Sequence, residues 1–401
     1  MWEQDIKIDE LKEIRMRPNV YFGVGAISKI NDIVESLKSK SIDKIIVVSG
    51  KNAYKTTGAW DYAEKALKQH NIGYVNYDKI TPNPTTHQID EAVKIAADFG
   101  AKAVIAIGGG SPIDAGKSVA ILLKYPEKNC SELYGYEFTP EIAAPVVAIN
   151  LTHGTGTETN RFAVVTIPEK NFKPAIAYDC IYPFASIDDP ALMTKLSPEQ
   201  TLYVSIDAVN HAVEAATTIA SSPYSITLAK ETIRLVAKYL PEVIKNPENL
   251  TARYFLAYAS LLGGASFDNG LLHYTHALGH PLSAVKPELS HGLSLAVLLP
   301  AVLKYIYKEK SNTLADIFSS VVNETCGSPD EFAKKIEQWI FDLGIKSKLQ
   351  DEGFTGEDIP KLVDLVYTTP SLELLLSLTP LQNTKEIVTA IYNESLTAYN
   401  S

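Results

Sequence analysis

Short apolar runs alternate with longer amphipathic stretches through the first half of the chain. Lys44–Ser49 (KIIVVS), Gly73–Tyr77, 103–107 (AVIAI), 145–149 (PVVAI), 162–167 and 185–187 have the length and β-branched content of strands. Between them, residues 60–69, residues 88–99 and a stretch that follows Ser111 and runs to Leu123 read as helices. Strand–helix alternation at this spacing implies βαβ units and a parallel sheet. After Asp189-Pro190 the pattern changes. Ser197-Pro198-Glu199-Gln200 predicts a helix N-terminus with a capping box and proline at the first helical position. From there onward the periodicity is helical, with no convincing strand. The expected architecture is an α/β N-terminal domain over residues 1–190 and an all-α C-terminal domain over residues 191–401.

Composition narrows the function classes. At 401 residues the chain is long enough for two cores, and its 46% hydrophobic and 21% charged content is that of a soluble globular protein. A net charge of −10 argues against a nucleic-acid or anionic-membrane partner, which needs basic stripes. The longest apolar stretch, residues 293–303, contains Pro300 and is too short to span a bilayer. The N-terminal MWEQDIKIDELKEIR is too charged for a signal peptide. Cys130, Cys180 and Cys326 form no CxxC pair, so neither a disulfide framework nor a thiolate zinc site is supported. Cytoplasmic residence is the expectation.

Gly108-Gly109-Gly110-Ser111 lies between the AVIAI strand and a helix. Successive glycines let the backbone approach a ligand closely, and the following helix N-terminus offers free N–H groups to a phosphate. A tight βα turn would be the bland alternative, but it does not need three glycines. Two look-alikes are set aside. Gly116-Lys117-Ser118 could end a Walker A loop, but Ser111 stands where its leading glycine belongs. Gly23-x-Gly25 lacks the last glycine of GxGxxG, where Ser28 stands, and reads as a turn.

Four of the eight histidines, His273, His276, His280 and His291, fall close together in an apolar, glycine-punctuated region. Asp207 and His211 are four apart on the capped helix and share one face. Such a pair alone is more often a satisfied polar pair than a metal site. Here it sits in an alanine-rich helix, where a lone charge is costly without a partner. Imidazole and carboxylate together suit a divalent cation.

Taken in order, several motifs resemble the iron-containing (group III) alcohol dehydrogenase family over essentially the whole chain. They are Gly108-Gly109-Gly110-Ser111-x-x-Asp114, Thr152-His153-Gly154-Thr155-Gly156-Thr157-Glu158, Asp189-Pro190, Asp207-x3-His211, and His276-x3-His280-Pro281-Leu282 with Ser290-His291-Gly292. The resemblance implies a dehydroquinate synthase-like architecture with a dinucleotide-binding sheet. It also implies metal ligands at Asp207, His211, His276 and His291, with His280 as a non-ligand histidine near the substrate. Gly108, Gly109, Gly110 and Ser111 would hold the pyrophosphate, with Asp114 in the same motif. Thr152 and Thr155 would line the cofactor, Asn83 would lie near its adenosine side, and Lys173 would be a cofactor-side lysine. The chain departs from the family pattern at Leu151, at His153, at the additional His273, and in a His276–His291 spacing one residue longer.

The implied reaction is hydride transfer between NAD(P)(H) and a small alcohol or aldehyde, with the metal polarising the substrate oxygen. Fe2+ is the first expectation for the metal and Zn2+ the second. His280 is the candidate proton relay, because an unperturbed imidazole titrates in the working range. Gly50 ends the KIIVVS strand where NAD-preferring members carry an acidic residue, and Lys51 follows, so NADP(H) is favoured. The resemblance also implies a homodimer. Three alternatives stay open: a dehydroquinate synthase-like lyase, a glycerol dehydrogenase-like enzyme, and a nucleotide-binding protein with a structural metal.

Overall fold

The computed structural model describes residues 2–6, 10–322 and 326–399; Met1 and residues 7–9 of the charged N-terminal stretch lie outside them. Among the described residues eight strands are formed: β1 (Val20–Phe22), β2 (Lys44–Ser49), β3 (Gly73–Tyr77), β4 (Ala103–Gly108), β5 (Val146–Asn150), β6 (Phe162–Val164), β7 (Ala175–Ala177) and β8 (Ala185–Asp188). Six of them make a wholly parallel sheet in the order β1-β8-β5-β4-β2-β3. The near-continuous Val/Ile runs of β2, β4 and β5 follow from burial on both faces. Ile45, Val47, Ile105, Ile107, Val147 and Ile149 enter one core, while Ile46, Val48, Val104 and Val146 enter the other. The pleat alone sorts these residues.

The chain passes from β2 outward to β3 and then returns to β4 on the other side of β2. The carboxyl ends of β2 and β4 therefore flank a topological switch point, where open α/β sheets bind ligands. Gly50 follows β2 there, and Gly108 ends β4.

The expected strand over 162–167 is a correction. Only Phe162–Val164 is regular, and it pairs antiparallel with β7 in a separate two-stranded sheet. Thr166 and Ile167 are instead held by isolated bridges to Thr85 and Phe172, which bend the segment away. The expected helix at 88–99 starts earlier, at Thr86, because Thr85 and Gln88 form a reciprocal capping box. At Ser197 only half of the expected box forms: the Gln200 N–H donates to Ser197 Oγ (3.1 Å). Beyond Asp188 the described residues contain helices and no strand, around one large apolar core.

Between the sheet and the residues 151–160 loop lies a buried acidic pair. The Asn150 side-chain amide donates to Asp188 Oδ1 (2.9 Å), while Asp188 Oδ2 and both Glu158 oxygens have no hydrogen-bond partner. Burial pushes Asp188 up to about 7, and burial together with the Asp188 charge pushes Glu158 well above the carboxylate range. The unfolded chain releases such protons near pH 4. From there to about 7 the folded state holds more protons than the unfolded one, so this pair's contribution to stability falls as pH rises. Asp188→Asn keeps the shape and carries no charge. We expect its melting temperature relative to the parent to climb between about pH 5 and about pH 8; a pH-independent difference would refute the raised titration of this pair.

Candidate metal and nucleotide site

The Pro198–Thr217 helix carries Asp207, His211 and Glu214 on one face. The Tyr274–Val285 helix carries His276 and His280, and His291 opens the His291–Ile317 helix. Gly292 lets that last helix start directly on the backbone of the first. A Cβ there would lie 2.1 Å from the Tyr203 carbonyl oxygen. Residues 286–290 lead the chain back so that the His276 and His291 rings stand 5.4 Å apart. The longer spacing between these two histidines therefore does not separate them.

Asp207, His276 and His291 each offer a donor atom, and these atoms lie within 4.8 Å of one another. His211 stands beside this group. Its Nε2 is 3.6 Å from Asp207 Oδ1, and its ring stacks on His276 with centroids 4.6 Å apart. Asp207 Oδ1, His276 Nε2 and His291 Nδ1 are buried atoms without hydrogen-bond partners. Buried polar atoms left unpaired cost about 1–3 kcal/mol each, so Asp207 Oδ1 and His276 Nε2, 3.7 Å apart and unpaired, fit a cation between them.

Sequence reasoning missed the residue that orients this cluster. Glu214 is fully buried and accepts the backbone N–H groups of His273 (3.1 Å), Thr275 (2.8 Å) and His276 (3.3 Å) on Oε1. Its Oε2 accepts from His276 Nδ1. One carboxylate thus caps the His276 helix and fixes the ring so that Nε2 faces Asp207, at 3.7 Å. Burial alone would raise Glu214, but the His276 charge outweighs it and holds the carboxyl at about 2. Burial opposes protonation of His276, yet the Glu214 and Asp207 charges raise it to about 9. The local field favours positive charge. The available signal was spacing: Glu214 lies three residues beyond His211, in an apolar helix.

His273 has a structural role. Its Nδ1 accepts from the Tyr274 N–H (2.7 Å), which leaves Nε2–H to donate to Thr217 Oγ1 (2.8 Å). His280 Nδ1–H donates to the Lys173 carbonyl (2.8 Å), so its Nε2 keeps the lone pair. Burial and the Lys173 charge hold its pKa well below 6.5. His280 is thus shifted below the range in which an unperturbed imidazole titrates.

At the switch point the glycine loop packs against the threonine loop. A Cβ on Gly109 would lie 2.7 Å from Thr152 Cγ2, and one on Gly110 would lie 2.6 Å from Thr155 Cγ2. The Gly110–Leu122 helix begins at Gly109 without a side-chain cap, leaving its N–H groups available, Ser111 among them. Asp114 does not share this openness. It accepts from Thr157 Oγ1 (2.7 Å) and the Val164 N–H (2.9 Å), so both oxygens brace the neighbouring loop instead of facing a ligand. Lys117 is fully buried, donating to the Thr157, Asn160 and Phe162 carbonyls, which disposes of the Walker A resemblance. Asn83 and Lys173 are bound to each other (2.8 Å), and Asn83 also donates to the Pro287 carbonyl (2.9 Å). Phe267 stacks on His211 at 4.6 Å and meets Phe162 at 5.1 Å, forming an apolar wall that the sequence reading did not foresee.

A cluster of unpaired Asp and His atoms and a glycine-rich turn ahead of a helix are both consistent with a nucleotide-linked metalloenzyme. Residues 18–190 match the iron-containing alcohol dehydrogenase family, and residues 201–396 match the C-terminal part of the Fe-containing alcohol dehydrogenase family. The chain is 58% identical over 398 residues to the long-chain primary alcohol dehydrogenase AdhA of Thermoanaerobacter ethanolicus, covering 98% of this chain and 100% of that one. It is 31% identical to 1,3-propanediol dehydrogenase of Klebsiella pneumoniae over 87% of this chain and 90% of that one. The crystal structure of NADH-dependent butanol dehydrogenase A from Thermotoga maritima superposes with a TM-score of 0.88 at 28% identity, covering 97% of this chain and 99% of that one. This chain belongs to the iron-containing alcohol dehydrogenase family. It is a nicotinamide- and metal-dependent alcohol dehydrogenase acting on alcohol or aldehyde substrates. No helix of the described residues is long and apolar enough to cross a membrane.

Glu214→Gln would turn an amide N–H toward the His276 Nδ1–H and unseat the ring. We expect metal affinity to fall by about 10–100-fold in chelator competition. Unchanged affinity would remove Glu214 from the account.

Proposed function

We propose that the enzyme interconverts small neutral primary alcohols and their aldehydes with NADP(H), around one Fe2+ held by Asp207, His211, His276 and His291, with Zn2+ as the second candidate. The observation that carries the reading is the convergence of Asp207, His276 and His291 donor atoms within 4.8 Å, with unpartnered atoms among them. The bound cation supplies polarisation of the substrate oxygen. The protein does the rest. Gly108, Gly109, Gly110 and Ser111 receive the pyrophosphate on backbone N–H groups. Thr152 and Thr155 line the nicotinamide side. Phe162 and Phe267 exclude water next to His211 and offer an aliphatic chain an apolar wall. Asp114 acts by bracing the loop, and the Asn83–Lys173 pair by holding the segment whose carbonyl orients His280.

NADP(H) preference is supported by Gly50 at the end of β2, where no carboxylate repels a 2′-phosphate, and by the exposed Lys51 after it. Similarity to alcohol dehydrogenases over the whole length, together with Asp207 on the helix, sets this reading above a lyase one.

The test is absorbance at the nicotinamide band with chelated and then Fe2+- or Zn2+-reconstituted enzyme, both cofactors and a panel of aldehydes. We expect metal-dependent oxidation of NADPH with higher kcat/KM than of NADH. No metal-dependent oxidation of either would sink the proposal, and a large NADH preference would overturn the cofactor part. His280, as a neutral acceptor through Nε2, relays the substrate proton. His280→Ala should lower kcat for alcohol oxidation by about 100-fold, in the range of general-base effects; an unchanged kcat would exclude that role.

A further inference from the structure

His153 sits inside the threonine loop, between the two residues read as lining the nicotinamide, yet it turns away from them and is fully buried. Arg253, on the Leu250–Gly270 helix, donates from Nη1 to His153 Nε2 (2.8 Å) and to Thr201 Oγ1 (3.0 Å), and from Nε to the Pro247 carbonyl (3.0 Å). A guanidinium can only donate, so His153 Nε2 is the acceptor and Nδ1 carries the proton. That proton points to Ser205 Oγ, at 3.3 Å. Ser205 lies two residues before Asp207 on the Pro198–Thr217 helix. The tautomer is therefore set by a residue that never loses its charge.

Two further observations show that this linkage is built rather than incidental. Arg253 is fully buried and takes part in no ion pair among the described residues, and its Nη2 has no hydrogen-bond partner. A buried cation paired only with neutral acceptors is an expensive arrangement. At Gly154 the loop backbone lies so close to the same helix that a Cβ would stand 2.5 Å from the Val204 carbonyl oxygen. The loop thus has almost no freedom to slide on the helix that carries Asp207 and His211.

We propose that His153 is a positioning residue. Gripped between Arg253 and Ser205, it locks the nicotinamide-lining loop to the metal-bearing helix at one spacing, so that hydride donor and polarised carbonyl meet in register. The inference rests on the proposed reading of Thr152 and Thr155 as cofactor-lining. It assigns the buried Arg253 guanidinium a purpose within the site rather than in the core.

The experiment compares the parent with His153→Ala and His153→Gln, whose amide oxygen can still accept from Arg253. Nucleotide dissociation constants are measured on metal-stripped protein by tryptophan fluorescence with NADPH and NADH. kcat and KM are measured at saturating metal, alongside melting temperature. In His153→Ala we expect kcat to fall by about 30-fold and nucleotide affinity by about ten-fold, on the scale of an ångström-level misplacement, with His153→Gln recovering most of both. A His153→Ala protein that melts lower but keeps both values within about two-fold would show packing alone and overturn the proposal. If His153→Ala does not fold, Ser205→Ala removes only the acceptor of the Nδ1–H; an unchanged kcat there overturns it equally. If the parent itself shows no metal-dependent aldehyde reduction, the functional reading fails, while the nucleotide-binding arm still decides the role of His153.

Discussion

One buried carboxylate organises the site. Glu214 takes three backbone N–H groups at the start of the Tyr274–Val285 helix and the Nδ1–H of His276, so a single side chain joins two helices and aims a ring. Removing one partner of such a buried charged pair costs about 3–5 kcal/mol, several times a surface ion pair. The arrangement also sets the charge of the cluster. With Glu214 behind His276 and Asp207 in front of it, the local field calls for a cation at the point where the Asp207, His276 and His291 donors converge. Residues that could have been a satisfied polar patch are thereby made to face one another with unpaired polar atoms.

The nucleotide side depends on a different constraint, close backbone approach. The glycine loop follows β4 beside the switch between β2 and β4, and Gly109 and Gly110 leave room for Thr152 and Thr155. The acid and the lysine nearby are turned to other partners. Asp114 and Lys117 are consumed in holding residues 157–164 in place. Charged residues in a phosphate-like motif therefore serve here as braces.

The two sides meet through the helix that carries Asp207. The threonine loop lies against it at Gly154 and is tied to it through His153, while the helix opened by His291 begins on its backbone at Gly292. The Asp207 helix is thus the common reference for the Asp/His cluster and the threonine loop. Phe267, stacked on His211, closes the apolar side of the same space.

Much of this was legible in the chain itself. The parallel sheet followed from buried Val/Ile runs alternating with helical stretches, because a strand covered on both faces has no polar period to display. The glycine turn and the Asp/His spacing pointed to phosphate and cation, since both signals are local. What sequence could not determine is every relation made by side chains far apart in the chain. The role of Glu214 depends on a helix whose start lies some sixty residues further on. The neutral state of His280 depends on burial and on the Lys173 charge. The ties of His153 to Arg253 and Ser205 join three separate segments. The expected strand over 162–167 failed for the same reason, since its pairing was decided by β7 and by bridges to Thr85 and Phe172 and not by its own propensity. Local periodicity is written in consecutive residues. The partner of a buried polar group is chosen only when the helices and the sheet have packed.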